Sequence, residues 1–316
     1  MRGNGGTSRR WPAAKYRRGV DNRAEVRDFL ASRRARITPA QAGLPAYGDL
    51  RRVPGLRRTE VAMLAGVSVE YYTRLERGNL GGVSESVLES LARALQLDEA
   101  ERAHLFDLAR AAATPARSSA RRSARPKVRP SIHRILDAMT GAPAYVRNAR
   151  MDILAANHLC FALYADILTP QALPVNLARF LFLDPRSTSF FADWETVADD
   201  AVAALRGEAG RNPLDRGLSD LVGELATRSE EFRARWARHN VRLHRTAVKR
   251  IRNPIAGELT LTGDALELPG DGLTLVTYTA EPASQAQQQL DFLASWSTRH
   301  SAAAPAGDHT GDARTI

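Results

Sequence analysis

The sequence nearly lacks cysteine, with one, Cys160, among 316 residues. A single thiol builds neither an internal disulfide framework nor a CxxC metal knuckle, which fits a cytoplasmic protein. Long apolar runs are missing as well. No stretch approaches the roughly 18 residues of a membrane span, and no apolar segment of an export signal follows Arg9-Arg10. Neither a membrane partner nor an exported protein is expected. GxGxxG, P-loop and HExxH patterns are also absent. His158 lies close to Cys160, and His239 close to His244, but no acid pattern or partner completes a nucleophilic or metal set beside either pair. The chain therefore reads as a non-enzyme without a cofactor or metal.

Charge is present in quantity, and it is unevenly placed. The net charge is +10. Residues 1–130 hold 26 Lys+Arg against 13 Asp+Glu, a net +13, whereas residues 131–316 hold 19 against 22, a net −3. Clustered cations gain free energy by displacing counterions from phosphates, so the first part of the chain is suited to a polyanion partner. The length allows two domains with separate cores.

Residues 1–22 have no periodicity and read as a disordered basic tail. A helical pattern then begins near Arg23, with Val26, Phe29, Leu30 and Ile37 at helical spacings, and Thr38-Pro39 ends it. A second helix is expected over 58–65, with Val61 and Leu64 inward. Gly66 breaks it, and Ser68 caps a third helix over 69–77 that Gly78 closes. Residues 84–95 give a fourth helix with Val87, Leu88, Leu91 and Leu95 on one face. Asp98 and Glu101 form a capping-box pattern opening a fifth. Residues 23–112 are thus expected to make a compact five-helix, all-α domain. Residues 113–130, ATPARSSARRSARPKVRP, hold six cations, three prolines and no acid. They read as a basic linker, either a solvated tether or a segment able to touch phosphate.

From Ser131 the texture changes. AYVRNARMDILAA predicts a hairpin turning at Asn148. Amphipathic helices follow in NHLCFALYADIL, WETVADDAVAALRGEAG and LSDLVGELATRSEEFRARWARHN, where Ser229 opens the last helix. Period-two apolar positions such as Leu259 and Leu261, broken by Gly263-Asp264 and Gly270–Gly272, predict an antiparallel sheet. A final helix over 284–296 precedes a tail, 299–316. Residues 131–298 therefore read as an α+β domain with a small antiparallel sheet and several covering helices.

The segment VAMLAGVSVEYYTRLERG carries the sharpest signal. Val61, Leu64, Val67, Tyr72 and Leu75 can point between two helices joined at Gly66. Val69, Glu70, Thr73, Arg74 and Arg77 are left on the other side of helix three. Such a helix can enter a major groove by its N-terminal half. There Arg74 can donate a bidentate fork to guanine and Glu70 can accept from cytosine. Val69, Glu70, Thr73 and Arg74 are the base-reading candidates; Arg58, Ser68, Tyr71 and Arg77 are the phosphate candidates.

PGLRRTEVAMLAGVSVEYYTRLERG, followed by VLESLARALQLDEAERAHLFDLA, resembles the Xre-type (lambda-repressor-like) helix-turn-helix regulators, and more narrowly the branch with an MmyB-like C-terminal domain. Asp184-Pro185, WETVADDAVAALR, LVGELATRSEEFRARWARH and VTYTAEPAS continue the likeness, which spans about residues 24–296. The sequence departs from the pattern at Thr59, where an acid is usual, at Arg77, where Gln is common, and before helix four, which lacks the usual Pro-Ser. The likeness also implies that Glu76 pairs with an arginine of helix one, Arg33 or Arg34.

By the same resemblance the C-terminal domain is PAS-like and takes a small apolar ligand. Phe161, Phe180, Leu181, Phe182, Phe190, Phe191 and Trp194 are the candidate walls, although each also serves simply as core. One module contacts only a half-site, so a homodimer on double-stranded DNA with an inverted-repeat operator is expected. Two readings follow: a ligand-responsive transcription factor, or a DNA-binding protein whose second domain only dimerises or recruits a protein partner.

Overall fold

The structure, a computed structural model, describes residues 22–45, 53–113, 127–165, 167–241 and 246–302. Most of the two expected tails and of the basic linker lies outside the described residues. Among the described residues, five helices make up the first domain: α1 (Asn22–Arg36), α2 (Arg58–Leu64), α3 (Val69–Glu76), α4 (Glu85–Ala94) and α5 (Glu99–Ala113). Val26, Phe29 and Leu30 of α1 are fully buried and meet Val61, Tyr72, Leu75, Leu91 and Leu105 in one core. The expected inward residue Leu64 is instead 36% exposed, and Ala62 and Ala65 fill the inner face. The inward positions are therefore 61 and 62 on α2 and 65 at its C-cap, at helical spacing.

The capping box at α5 forms in full: Glu101 N–H donates to Asp98 Oδ1 at 2.8 Å, and Asp98 N–H donates to Glu101 Oε2 at 3.2 Å. Glu101 is more than a cap, because it also receives Arg33 and Arg36 of α1 at 2.9 Å each.

In the second domain, α6 (Pro130–Ala138) precedes β1 (Ala144–Asn148) and β2 (Asp152–Ala156). The Asn148 side-chain oxygen accepts from the N–H groups of Arg150 and Asp152, both at 2.9 Å, which fixes the expected hairpin turn. Next come α7 (His158–Leu163), β3 (Val175–Asn176), α8 (Leu177–Leu183), α9 (Ser187–Phe190), α10 (Trp194–Arg211), α11 (Arg216–Arg228) and α12 (Glu230–Trp236). Ser229 caps α12 by accepting from Phe232 N–H at 3.1 Å. Strands β4 (Thr246–Asn253), β5 (Gly257–Leu268) and β6 (Leu273–Thr279) lead to α13 (Gln285–Ala302), which runs past the expected end at 296.

The sheet is larger than the sequence suggested. Among the described residues, six antiparallel strands lie in the order β3-β2-β1-β6-β5-β4, because β1 pairs with β6, Tyr145 opposite Val276. Alternation sorts its faces. Ala144, Val146, Leu273 and Leu275 face α6, while Tyr145, Val276 and Tyr278 face the main core beneath α7, α8, α10 and α13.

The two domains are docked. Val241, which follows α12, is buried in the core of the first domain. Helix α10 packs against α5, and Arg206 of α10, with no exposed surface, pairs with Glu25 of α1.

Candidate nucleic-acid interface and ligand pocket

The α2–α3 junction is a tight Schellman turn. Val67 N–H donates to Ala62 O at 2.9 Å and Gly66 N–H to Met63 O at 3.1 Å, with Gly66 at φ +65. Two residues later Ser68 Oγ accepts from Tyr71 N–H at 3.1 Å and starts α3. Tyr72 and Leu75 are fully buried and fix the inner face of α3. Its opposite face is open: Val69, Glu70, Thr73, Arg74, Arg77 and Asn79 border one shallow surface depression. All four base-reading candidates thus share one surface with Arg77, and the Arg74 guanidinium stacks on Tyr71, 4.8 Å from the ring centre.

Behind this surface lies a buried carboxylate. Glu76, its side chain 3% exposed, takes Arg34 of α1 at 2.8 Å on one oxygen and Arg58 of α2 on the other. Of the two arginines named for this contact, Arg34 makes it, while Arg33 turns to Glu101 and to the carbonyl of His239. Arg58, a phosphate candidate, is 55% exposed but already bound to Glu76, and that carboxylate raises its pKa through the hydrogen bond. One acid therefore ties three helices together directly beneath the exposed stripe.

The second domain holds a cavity of about 50 Å³ between the sheet and α8 and α10. Of the expected walls, only Phe191 and Leu181 line it. Phe180 and Phe190 are buried in the core, edge-on at 5.8 Å, and Phe161 packs against that core. Phe182 sits between Trp194 and Phe232, and the Trp194 indole donates to Leu181 O and Ser187 Oγ, both at 3.1 Å. These side chains build the scaffold behind the cavity.

Polar groups that the sequence reading did not single out line it instead: Tyr145, Tyr164 and Tyr278, with Arg147, Asp200 and Lys249. Tyr164 and Tyr278 share a hydroxyl–hydroxyl hydrogen bond of 2.9 Å, and burial raises the pKa of all three phenols. Burial, aided by Arg147, pushes the Lys249 ammonium down to about 8, against the pull of Asp200. A signal for Lys249 was present. It lies two residues before the fully buried Ile251 on the inward face of β4, where a lysine is out of place without a partner.

Cys160 is fully buried, and that burial pushes its thiol pKa far up, so it is a poor nucleophile. Among the described residues no group of histidine, cysteine and carboxylates could hold a metal ion, and no helix is long and apolar enough to cross a membrane.

Comparison with known families fits this division. Residues 25–105 match a helix-turn-helix domain. Residues 128–293, just over half of the chain, match the MmyB-like transcription regulator ligand binding domain. The chain belongs to the MmyB-like transcription regulators. No curated protein is a significant match to this regulator. In it, the helix-turn-helix match covers the α2–α3 unit with its exposed stripe, and the ligand-binding match encloses the whole cavity. The MmyB-like regulator is therefore a DNA-binding transcription regulator with a ligand-binding domain.

Proposed function

We propose that this regulator reads its operator with the N-terminal half of α3, as a homodimer on an inverted repeat in the cytoplasm, and that its PAS-like domain holds a small amphipathic ligand. The observation that carries the DNA reading is the open stripe of Val69, Glu70, Thr73 and Arg74 on a helix anchored from behind by Glu76. Arg74 supplies a fork for guanine and Glu70 an acceptor for cytosine. Arg77, Ser68 and Tyr71 flank them toward the phosphates, and Arg58 reaches a phosphate only from its Glu76 pair.

For the ligand, an apolar body alone suits Phe191, Leu177, Leu181 and Val276, but Lys249 and Arg147 favour an acidic or electron-rich head. A cavity with convergent polar groups supports a sensor over a purely dimerising second domain.

Selection of binding sites from random duplexes, run with the wild type and with Arg74→Ala, tests the DNA reading. The variant should lose about 1–3 kcal/mol at one base position of each half-site and relax the choice there. An unchanged consensus would remove Arg74 from the base-reading set.

A further inference from the structure

Helix α10 touches both working parts of the regulator. Val197, Asp200, Ala201 and Ala204, at spacings of three and four, line the cavity. Arg206 and Gly210, on another stripe of the same helix, meet the DNA-binding domain. Ala204 and Arg206 are only about 3 Å apart along the helix axis.

The contact is built for close fit. The Arg206 guanidinium donates to Glu25 of α1 and to the carbonyl of Trp236, lies 4.1 Å over the Trp236 ring, and approaches His239 Nδ1 at 2.9 Å. One turn on, a Cβ at Gly210 would stand 2.5 Å from Cε1 of His104 on α5, so only glycine admits this approach. Residues 236–241 then strap the two domains: Arg33 donates to His239 O, and Val241 enters the first domain's core. A buried ion pair has few good geometries, and displacement of either partner leaves uncompensated charge.

The cavity offers about 50 Å³, space for only a few water-sized groups. A ligand of ordinary size must move a wall. The sheet wall is fixed by its strand ladders, which leaves the helices to give way.

We propose that α10, locked to α1 by Glu25–Arg206 and to α5 at Gly210, is the rod by which occupancy of the cavity loosens the DNA-binding domain. This rests on the reading of the cavity as a ligand site. The same lock makes the two domains unfold as one unit.

The test uses the full chain and the amphipathic anion 1-anilinonaphthalene-8-sulfonate as probe, with its fluorescence reporting binding. Ala201→Trp, which fills the cavity, serves as the control that abolishes the signal. With probe bound, hydrogen exchange in residues 22–36 and 99–113 should accelerate at least threefold in the wild type. The Glu25→Met, Arg206→Met double variant, which leaves no lone buried charge, and Gly210→Ala, which wedges the helices apart, should bind probe without that acceleration. Unchanged exchange in the wild type with probe bound, or equal acceleration in both variants, would overturn the proposal. Failure of the probe to bind the wild type would sink the cavity reading, and the coupling with it. Chemical unfolding decides the lock in every case: one transition in the wild type and two in the double variant support it, and the same number in both overturns it.

Discussion

Glu76 shows what a single residue does beneath the exposed face of α3. Its carboxylate is nearly fully buried and holds Arg34 and Arg58 on separate oxygens. Glu76→Ala should destabilise the chain by about 3 kcal/mol, the low end for breaking a buried pair, because Arg34 keeps its 2.8 Å bond to Leu56 O and Arg58 is half in water. Urea titration followed by circular dichroism measures this; a loss under about 1 kcal/mol would make the pair a surface ornament. The exposed α3 residues were legible in sequence because their placement follows from local spacing and one glycine. For Lys249 only its place on the inward face of β4 was legible; the attracting Asp200 and the repelling Arg147 come from α10 and β1, far off in the chain. Its ammonium, pushed down to about 8, has a consequence for an anionic ligand. The charged form that attracts the anion is present below that value and lost above it, so affinity should fall as pH rises through about 8. Fluorescence titration of anilinonaphthalene sulfonate from pH 6.5 to 9.5 checks the sign; Lys249→Met should flatten the profile.

At the scale of elements, turns and caps carried the most information. The Gly66 turn, the Ser68 and Ser229 caps, the Asp98–Glu101 box and the Asn148 hairpin were all readable, because each is set by residues within a few positions of one another. The short elements β3, α8 and α9 escaped. Two residues of strand leave no period to detect, and LARFLFL is apolar on nearly every side because the core, α10 and α11 all cover it. The β1–β6 pairing that merges hairpin and meander into one sheet joins residues more than 120 apart. Gly66 tests the turn alone. An added Cβ there would meet nothing within 4 Å, so Gly66→Ala has only its φ of +65 to contend with. It should cost about 1–2 kcal/mol by backbone strain. Thermal unfolding measures that cost, and an unchanged midpoint would mean the turn relaxes to another conformation.

Across the whole molecule, the unexpected feature is that the helix-turn-helix and ligand-binding domains share buried charge. The sequence suggested two bodies on a basic tether, and no local pattern marks Arg206 as the residue that meets Glu25, 181 positions away. Glu25 also ties docking to pH. Burial alone would raise its carboxyl pKa, but Arg206, with His104 and His239 beside it, overrides this and holds it well below the ordinary 4.5. A depressed carboxyl contributes stability that is fully present above the unfolded value and lost as pH falls through the folded one. Protonation of Glu25 then leaves the buried Arg206 without its carboxylate partner. Acidification below about pH 4.5 should therefore undock the domains before either melts. Fluorescence of Trp236, on which Arg206 stacks, should report that step as a transition separate from the loss of helical signal. The Glu25→Met, Arg206→Met double variant removes the titrating group and its partner, and should show no such step. An acid transition identical in wild type and double variant would mean that Glu25 does not hold the domains together.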